Sequence, residues 1–139
     1  MQDNTIHTLT ASSLEEMQLV ANALLEHFPE GGHFAVYGEM GAGKTTLIQC
    51  ICKSMGLPFA GSPTFSLVNE YRLNDGRKLY HFDLYRLNGI EELNAIGFQE
   101  YLDTGDFVFI EWPQIAAEYI PEMSRLTITD NEGVRTIEF

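Results

Sequence analysis

Hydrophobic positions change period along the chain, and each change marks an element. Leu14, Met17, Ala21, Leu24, Leu25 and Phe28 fall on one face of a helix. Ser12 and Ser13 precede it, and Glu15 and Glu16 stand three residues after each, the capping-box spacing. Pro29 and Gly31-Gly32 end that helix, and a short run at 5–9 reads as a strand before it. His33-Phe34-Ala35-Val36-Tyr37 reads as a buried strand, and residues 46–53 as a helix that stops near Gly56. Residues 66–73 and 78–85 form two strands around Asn74-Asp75-Gly76-Arg77, a hairpin signal. A helix follows over 89–103, with Leu93, Ile96 and Tyr101 facing inward and Gly97 as a potential break. Phe107-Val108-Phe109-Ile110 is the cleanest apolar strand, and residues 115–119 form a short helix before Pro121. Strands at 125–129 and 134–139 close the chain around Asp130-Asn131-Glu132-Gly133.

The stretch between the second strand and its helix carries the chemistry. Gly38-Glu39-Met40-Gly41-Ala42-Gly43-Lys44-Thr45 fits G-x-x-x-x-G-K-[ST], the phosphate-binding P-loop. Its glycines let backbone amides surround phosphate oxygens. Lys44 can reach the β- and γ-phosphates, and the Thr45 hydroxyl can ligate Mg²⁺. The nucleotide-binding set is Gly41, Ala42, Gly43, Lys44, Thr45 and Thr46. Strand, loop and helix in that order are the context this motif requires. The whole then reads as an α/β, P-loop NTPase-like three-layer sandwich. Its mixed, mostly parallel sheet carries helices on both faces and antiparallel hairpin additions.

Two strands end in an acid. Leu79-Tyr80-His81-Phe82-Asp83 and Phe107-Val108-Phe109-Ile110-Glu111 each offer a Walker-B-like carboxylate. One acid can bind Mg²⁺ while the other works through water or orients the nucleophile. His81 lies on the same strand face as Asp83, as a structural partner or an outer-shell residue. Trp112 is a packing residue or a wall of the site. The loop with Ser62-Pro63-Thr64 sits where P-loop proteins place a γ-phosphate switch, with Thr64 as its candidate contact, or is an ordinary turn in which Ser62 and Thr64 bond the backbone. Asp130 to Gly133 matches D-x-x-G, but its place between two short strands makes it a hairpin turn. No N-K-x-D guanine-reading motif occurs, which favours ATP over GTP.

Composition narrows the partners. The chain has 139 residues, the length of one domain spanning 1–139. Eight Lys and Arg face 20 Asp and Glu, for a net charge of −12. Such a surface repels phosphate backbones, and it either suits a partner with a basic face or serves plain solubility. No long apolar run indicates a membrane span, and no secretory signal is visible. Cys50 and Cys52 form neither a disulfide framework nor a zinc site, which fits a reducing cytoplasm. The four histidines are scattered without metal-ligand spacing.

Four stretches together resemble one family: 38–46, Ser62-Pro63-Thr64, His81-Phe82-Asp83-Leu84-Tyr85-Arg86, and Ile110-Glu111-Trp112-Pro113. They are similar to the signature series of the bacterial TsaE (YjeE) family, in order and over nearly the whole chain. The resemblance implies a P-loop ATPase of the machinery that makes N6-threonylcarbamoyladenosine at position 37 of tRNAs reading ANN codons. It implies TsaB and TsaD as partners, with tRNA met only through that complex. It implies that Lys44 and the loop amides hold phosphates and that Thr45 and Glu111 are the Mg²⁺ ligands. Asp83 matches an acid needed for activity, and Thr64 the switch-like loop. Low intrinsic turnover is expected of the lone subunit. Arg135 is a further candidate for the nucleotide. The alternative is a small P-loop kinase acting on a small molecule or nucleotide, although kinases usually carry several arginines on a lid.

Overall fold

The computed structural model describes residues 5–63, 66–115 and 123–139. Its strands are β1 (Thr8–Ala11), β2 (Gly32–Tyr37), β3 (Val68–Arg72), β4 (Lys78–Asp83), β5 (Phe107–Glu111), β6 (Ser124–Asn131) and β7 (Val134–Glu138). Its helices are α1 (Leu14–His27), α2 (Lys44–Ser54), α3 (Ile90–Ala95) and α4 (Phe98–Thr104). The strands form a seven-stranded sheet in the order β1-β7-β6-β2-β5-β4-β3. The pairs β6–β2, β2–β5 and β5–β4 are parallel. The pairs β1–β7, β7–β6 and β4–β3 are antiparallel. The sheet is therefore mixed, with β1 pointing the same way as the four parallel strands and the hairpins at its two ends.

Alternation along β5 sorts the two faces. Every residue of β5 is buried, as expected of a parallel strand covered on both sides. Phe107 and Phe109 join the core formed with Met17, Val20, Ala21 and Leu24 of α1 and Leu47, Ile48 and Ile51 of α2. Val108 and Ile110 join the opposite core, with Leu93, Phe98 and Leu102 of α3 and α4. Helices thus cover both faces in three layers. Glu111 continues the Phe107–Phe109 row and falls on the α2 face. On β4, Leu79 belongs to the α1–α2 core and Tyr80 and Phe82 to the other, so His81 and Asp83 also face α2.

Several elements differ from the sequence pattern for identifiable reasons. The strand expected at 5–9 is shifted to Thr8–Ala11, because β7 pairs with it from Thr8↔Glu138 to Ala11↔Arg135. Ser13 caps α1 by accepting from the Glu16 amide at 3.1 Å. The Glu16 carboxylate reaches back to the Ser12 amide and hydroxyl. Leu14, expected on the apolar face, is 64% exposed, and the buried stripe is Met17, Val20, Ala21 and Leu24. The helix expected over 89–103 is two helices, because Gly97 takes φ 77 and caps α4. That break turns Ile96 outward, against the expectation of an inner position. Cys50 and Cys52 are free and both buried, since α2 is wedged between α1 and the sheet. Asp130 to Gly133 forms the β6–β7 turn, where Glu132 (φ 52) and Gly133 (φ 88) supply the left-handed backbone that tight hairpins need. Of the helix expected over 115–119, residues 116–119 lie outside the described residues.

Gly31 shows how tightly β2 enters the sheet. It has φ 89, and a Cβ there would overlap the Asp106 carbonyl oxygen. Gly133 has nearly the same φ, with nothing within 4 Å of such a Cβ. Gly133→Ala should therefore cost about 1–2 kcal/mol from backbone strain alone. Gly31→Ala should exceed roughly 3 kcal/mol, because the overlap adds to the strain. Urea denaturation of the two variants checks this. Equal losses would show that the approach of β2 to β5 does not constrain position 31.

Candidate functional site

Parallel strands end at one edge of the sheet, and the chemistry collects there. β2 runs into the loop 38–43, and α2 begins at Lys44 with Gly43 as its N-cap. Gly41 (φ 83) and Gly43 (φ 111) take left-handed backbone that favours glycine. Ala42 N–H donates to the Glu39 carbonyl at 3.0 Å, and Leu47 N–H to that of Gly43 at 2.9 Å. Among the described residues, no backbone acceptor meets the amides of Gly41, Gly43, Lys44, Thr45 or Thr46. Open amides at a helix N-terminus make an anion cradle.

Arg135 of β7 braces this loop. Its Nε donates to the Ala42 carbonyl at 2.9 Å. A Cβ on Gly43 would come within 2.8 Å of that nitrogen, so the bracing needs glycine there. Lys44 is buried, at 5% exposure. Its ammonium donates to the Gly38 carbonyl and to that of Glu39 at 3.4 Å, and lies 3.7 Å from the centre of the Trp112 ring. Burial pushes its pKa down, and the charges of Glu111 and Asp83 act the other way.

The two strand-terminal acids stand side by side. Asp83 is the direct cross-strand partner of Glu111 in the β4–β5 register. The Thr45 hydroxyl lies 3.0 and 3.2 Å from the two Glu111 carboxylate oxygens and donates to that carboxylate. His81 Nε2 lies 2.6 Å from Glu111 Oε2. Ser62 Oγ is 3.2 Å from the Thr45 hydroxyl. Its loop is held by β3: the Tyr71 hydroxyl accepts from the Ala60 amide, and the Asn69 side chain donates to the Gly61 carbonyl, both at 2.9 Å. Burial raises the Asp83 pKa and the Glu111 charge raises it further, against the Tyr85 amide, His81 and Lys44.

Lys44, Thr45, Thr46, Asp83, Glu111 and Arg135 line one pocket of about 800 Å³. Gly41 and Gly43 border it as well, while Ala42 is buried beneath the loop. Trp112 forms a wall. The residues singled out in the sequence therefore come together, except Thr64, which lies outside the described residues. The sequence left His81 between a structural partner and an outer-shell role, and the structure places its Nε2 against the Glu111 carboxylate. The available signal was its two-residue offset from Asp83. The tie of Ser62 to Thr45 left no pattern in the sequence.

A hydroxyl and a carboxylate are hard oxygen donors of the kind Mg²⁺ takes. Among the described residues, no group of three or more His, Cys, Asp or Glu side chains could cage a metal. The two donors, the Thr45 hydroxyl and the Glu111 carboxylate, fit an ion that keeps most of its coordination for phosphate and water, as Mg²⁺ does.

Comparison with known proteins agrees with this geometry. Residues 11–137 match the family model described as threonylcarbamoyl adenosine biosynthesis protein TsaE. A tRNA threonylcarbamoyladenosine biosynthesis protein TsaE of Borreliella burgdorferi is 37% identical over 102 residues, covering 73% of this chain and 74% of the relative. The protein of that name from Haemophilus influenzae is 40% identical over 103 residues, covering 73% of this chain and 65% of the relative. The crystal structure of Bacillus subtilis YdiB superposes with a TM-score of 0.75 at 27% identity, covering 97% of this chain and 84% of that one.

The crowding of the two acids has a measurable consequence. Asp83 has a folded pKa raised above its ordinary 3.8, so its ionised form is the disfavoured one in the folded chain. The stability it contributes is present below pH 3.8 and is lost as pH rises through the folded value. Asparagine carries no charge at any pH and can still accept from the Tyr85 amide. Asp83→Asn should therefore raise the melting temperature of the ligand-free chain at neutral pH, with the gain vanishing in acid. Melting curves across that range check it. A neutral-pH loss would mean the site stabilises the Asp83 charge.

Proposed function

The chain belongs to the TsaE family of threonylcarbamoyl adenosine biosynthesis proteins, and on that footing we propose that it is an Mg²⁺-dependent ATPase. It would act with TsaB and TsaD in forming the threonylcarbamoyl group on adenosine 37 of tRNAs that read ANN codons. The observation that carries this reading is the Thr45 hydroxyl 3.0 Å from a buried Glu111 carboxylate, beside an open amide cradle.

The roles follow from position. Gly41, Ala42, Gly43, Lys44, Thr45 and Thr46 hold the phosphates through loop amides, and the Lys44 ammonium neutralises their charge. Thr45 and Glu111 hold Mg²⁺, which when bound draws charge from the phosphate oxygens. Asp83 faces the pocket beside Glu111, and its raised pKa suits it to take a proton from the attacking water. Thr64 is assigned the contact by which the loop after α2 senses the γ-phosphate. Residues 1–139 work as one ATPase domain. With a net charge of −12 the chain leaves tRNA to its partners. Two free buried thiols suit the cytoplasm, and among the described residues no helix is long and apolar enough to cross a membrane.

The test is ATP turnover and tRNA binding at fixed salt, alone and with TsaB and TsaD. Slow phosphate release alone, faster release with the partners, and weak tRNA binding by the lone chain are expected. Lys44→Ala should lose roughly 10²-fold or more in turnover with the fold intact. A phosphorylated small-molecule acceptor would favour the kinase alternative. Normal turnover by a folded Lys44→Ala variant would remove the loop from the mechanism.

A further inference from the structure

We propose that His81 is a positioning residue that fixes the rotation of the Glu111 carboxylate so that Oε1, the oxygen it does not touch, is presented to Mg²⁺ beside Thr45. The inference deepens the reading of this pocket as a Mg²⁺-nucleotide site and rests on it.

A carboxylate turns easily about its last torsion. Thr45 meets both Glu111 oxygens at nearly equal distances, 3.0 and 3.2 Å, so it does not choose between them. His81 meets Oε2 alone, at 2.6 Å. That contact breaks the symmetry and leaves Oε1 with Thr45 as its partner. The register makes it possible. His81 stands opposite Phe109, and Glu111 lies two residues along the same face, the diagonal position that long side chains span.

The imidazole is itself held in one state. It is fully buried, and among the described residues its Nδ1 has no hydrogen-bond partner. The ring proton therefore belongs on Nε2, where it is donated to the carboxylate. Phe59 lies nearly parallel to the ring at 6.2 Å between centres and limits its tilt. Outer donors of this kind orient metal ligands, and their loss typically costs about 10–100-fold in metal affinity.

The test titrates Mg²⁺ into the full chain with ATP, reading the fluorescence of Trp112, the single tryptophan and the neighbour of Glu111. His81→Leu removes the donor, while His81→Gln keeps an amide donor. In His81→Leu the Mg²⁺ half-saturation should rise by about 10–100-fold, with ATP affinity in EDTA changed little. His81→Gln should recover most of the loss. In a Glu111→Gln background, His81→Leu should add almost nothing, because it acts through that carboxylate. Wild-type Mg²⁺ dependence in a folded His81→Leu chain overturns the role of His81 alone. So does an equal loss of ATP affinity without Mg²⁺, or a fully additive double mutant. Should His81→Leu fail to fold, a His81→Gln chain with the Mg²⁺ requirement lost would overturn it. A wild-type chain that binds no ATP overturns the nucleotide reading, and His81's role with it.

Discussion

A carboxylate buried at the end of an apolar strand is the constraint on which the rest of this structure depends. Glu111 is 2% exposed and follows four buried apolar residues on β5. An unpaired charge in that position would be untenable, and two side chains on its face bond to it. Thr45 and His81 donate to it, and the Leu84 amide donates to its backbone carbonyl at 3.1 Å. These three partners come from α2, from β4 and from the segment just after β4. Satisfying one acid therefore fixes the start of α2, the end of β4 and the spacing between them. The same arrangement leaves Asp83 beside a second carboxylate, where burial and that neighbouring charge both disfavour its ionised form.

Trp112 extends the constraint beyond the strand. It has φ 56 and precedes Pro113, although a residue before proline is normally driven to extended backbone. Such strain is of order 1–3 kcal/mol and persists only where surrounding contacts determine it. Here the indole lies against the Lys44 ammonium and, at 5.0 Å between ring centres, against Tyr85. The left-handed turn lets the chain leave β5 and swing an aromatic face over the P-loop lysine. A tryptophan in ordinary backbone would continue along the strand and leave Lys44 uncovered.

The fold was legible where burial imposes a period. The continuous run of β5 and the largely apolar run of β4 give both strands and their terminal acids, because strand chemistry is local. Gly97 could be marked as a break, since left-handed backbone is a local property too. What escaped depends on partners distant in sequence. Leu14 fits the helical stripe of α1 but lies outside the area that α2 and the sheet cover. β1 follows the register of β7, more than 120 residues away, rather than its own apolar run. The site divides the same way. The P-loop residues are contiguous and visible, whereas the bond from Arg135 to Ala42 and the contact of Ser62 with Thr45 join segments with no shared pattern. His81 was half visible: its face could be read from its offset to Asp83, but the reach to Glu111 requires knowing that β4 and β5 pair in parallel.

An acidic chain that builds an anion cradle has to separate local field from overall charge. The net charge is −12, yet the loop concentrates open amides, Lys44 and Arg135 within one pocket. Exposed charges are screened beyond about 8 Å at physiological ionic strength, while groups in a shielded pocket are screened much less. A compact phosphate tail inside the pocket therefore feels chiefly the cradle, with the acids of the site themselves engaged by Thr45, His81 and the Tyr85 amide. A polyanion spread over the outer surface would instead meet an exterior in which eight Lys and Arg face 20 Asp and Glu. The local field of the loop and the overall charge of the chain therefore have opposite signs, and they act over different distances.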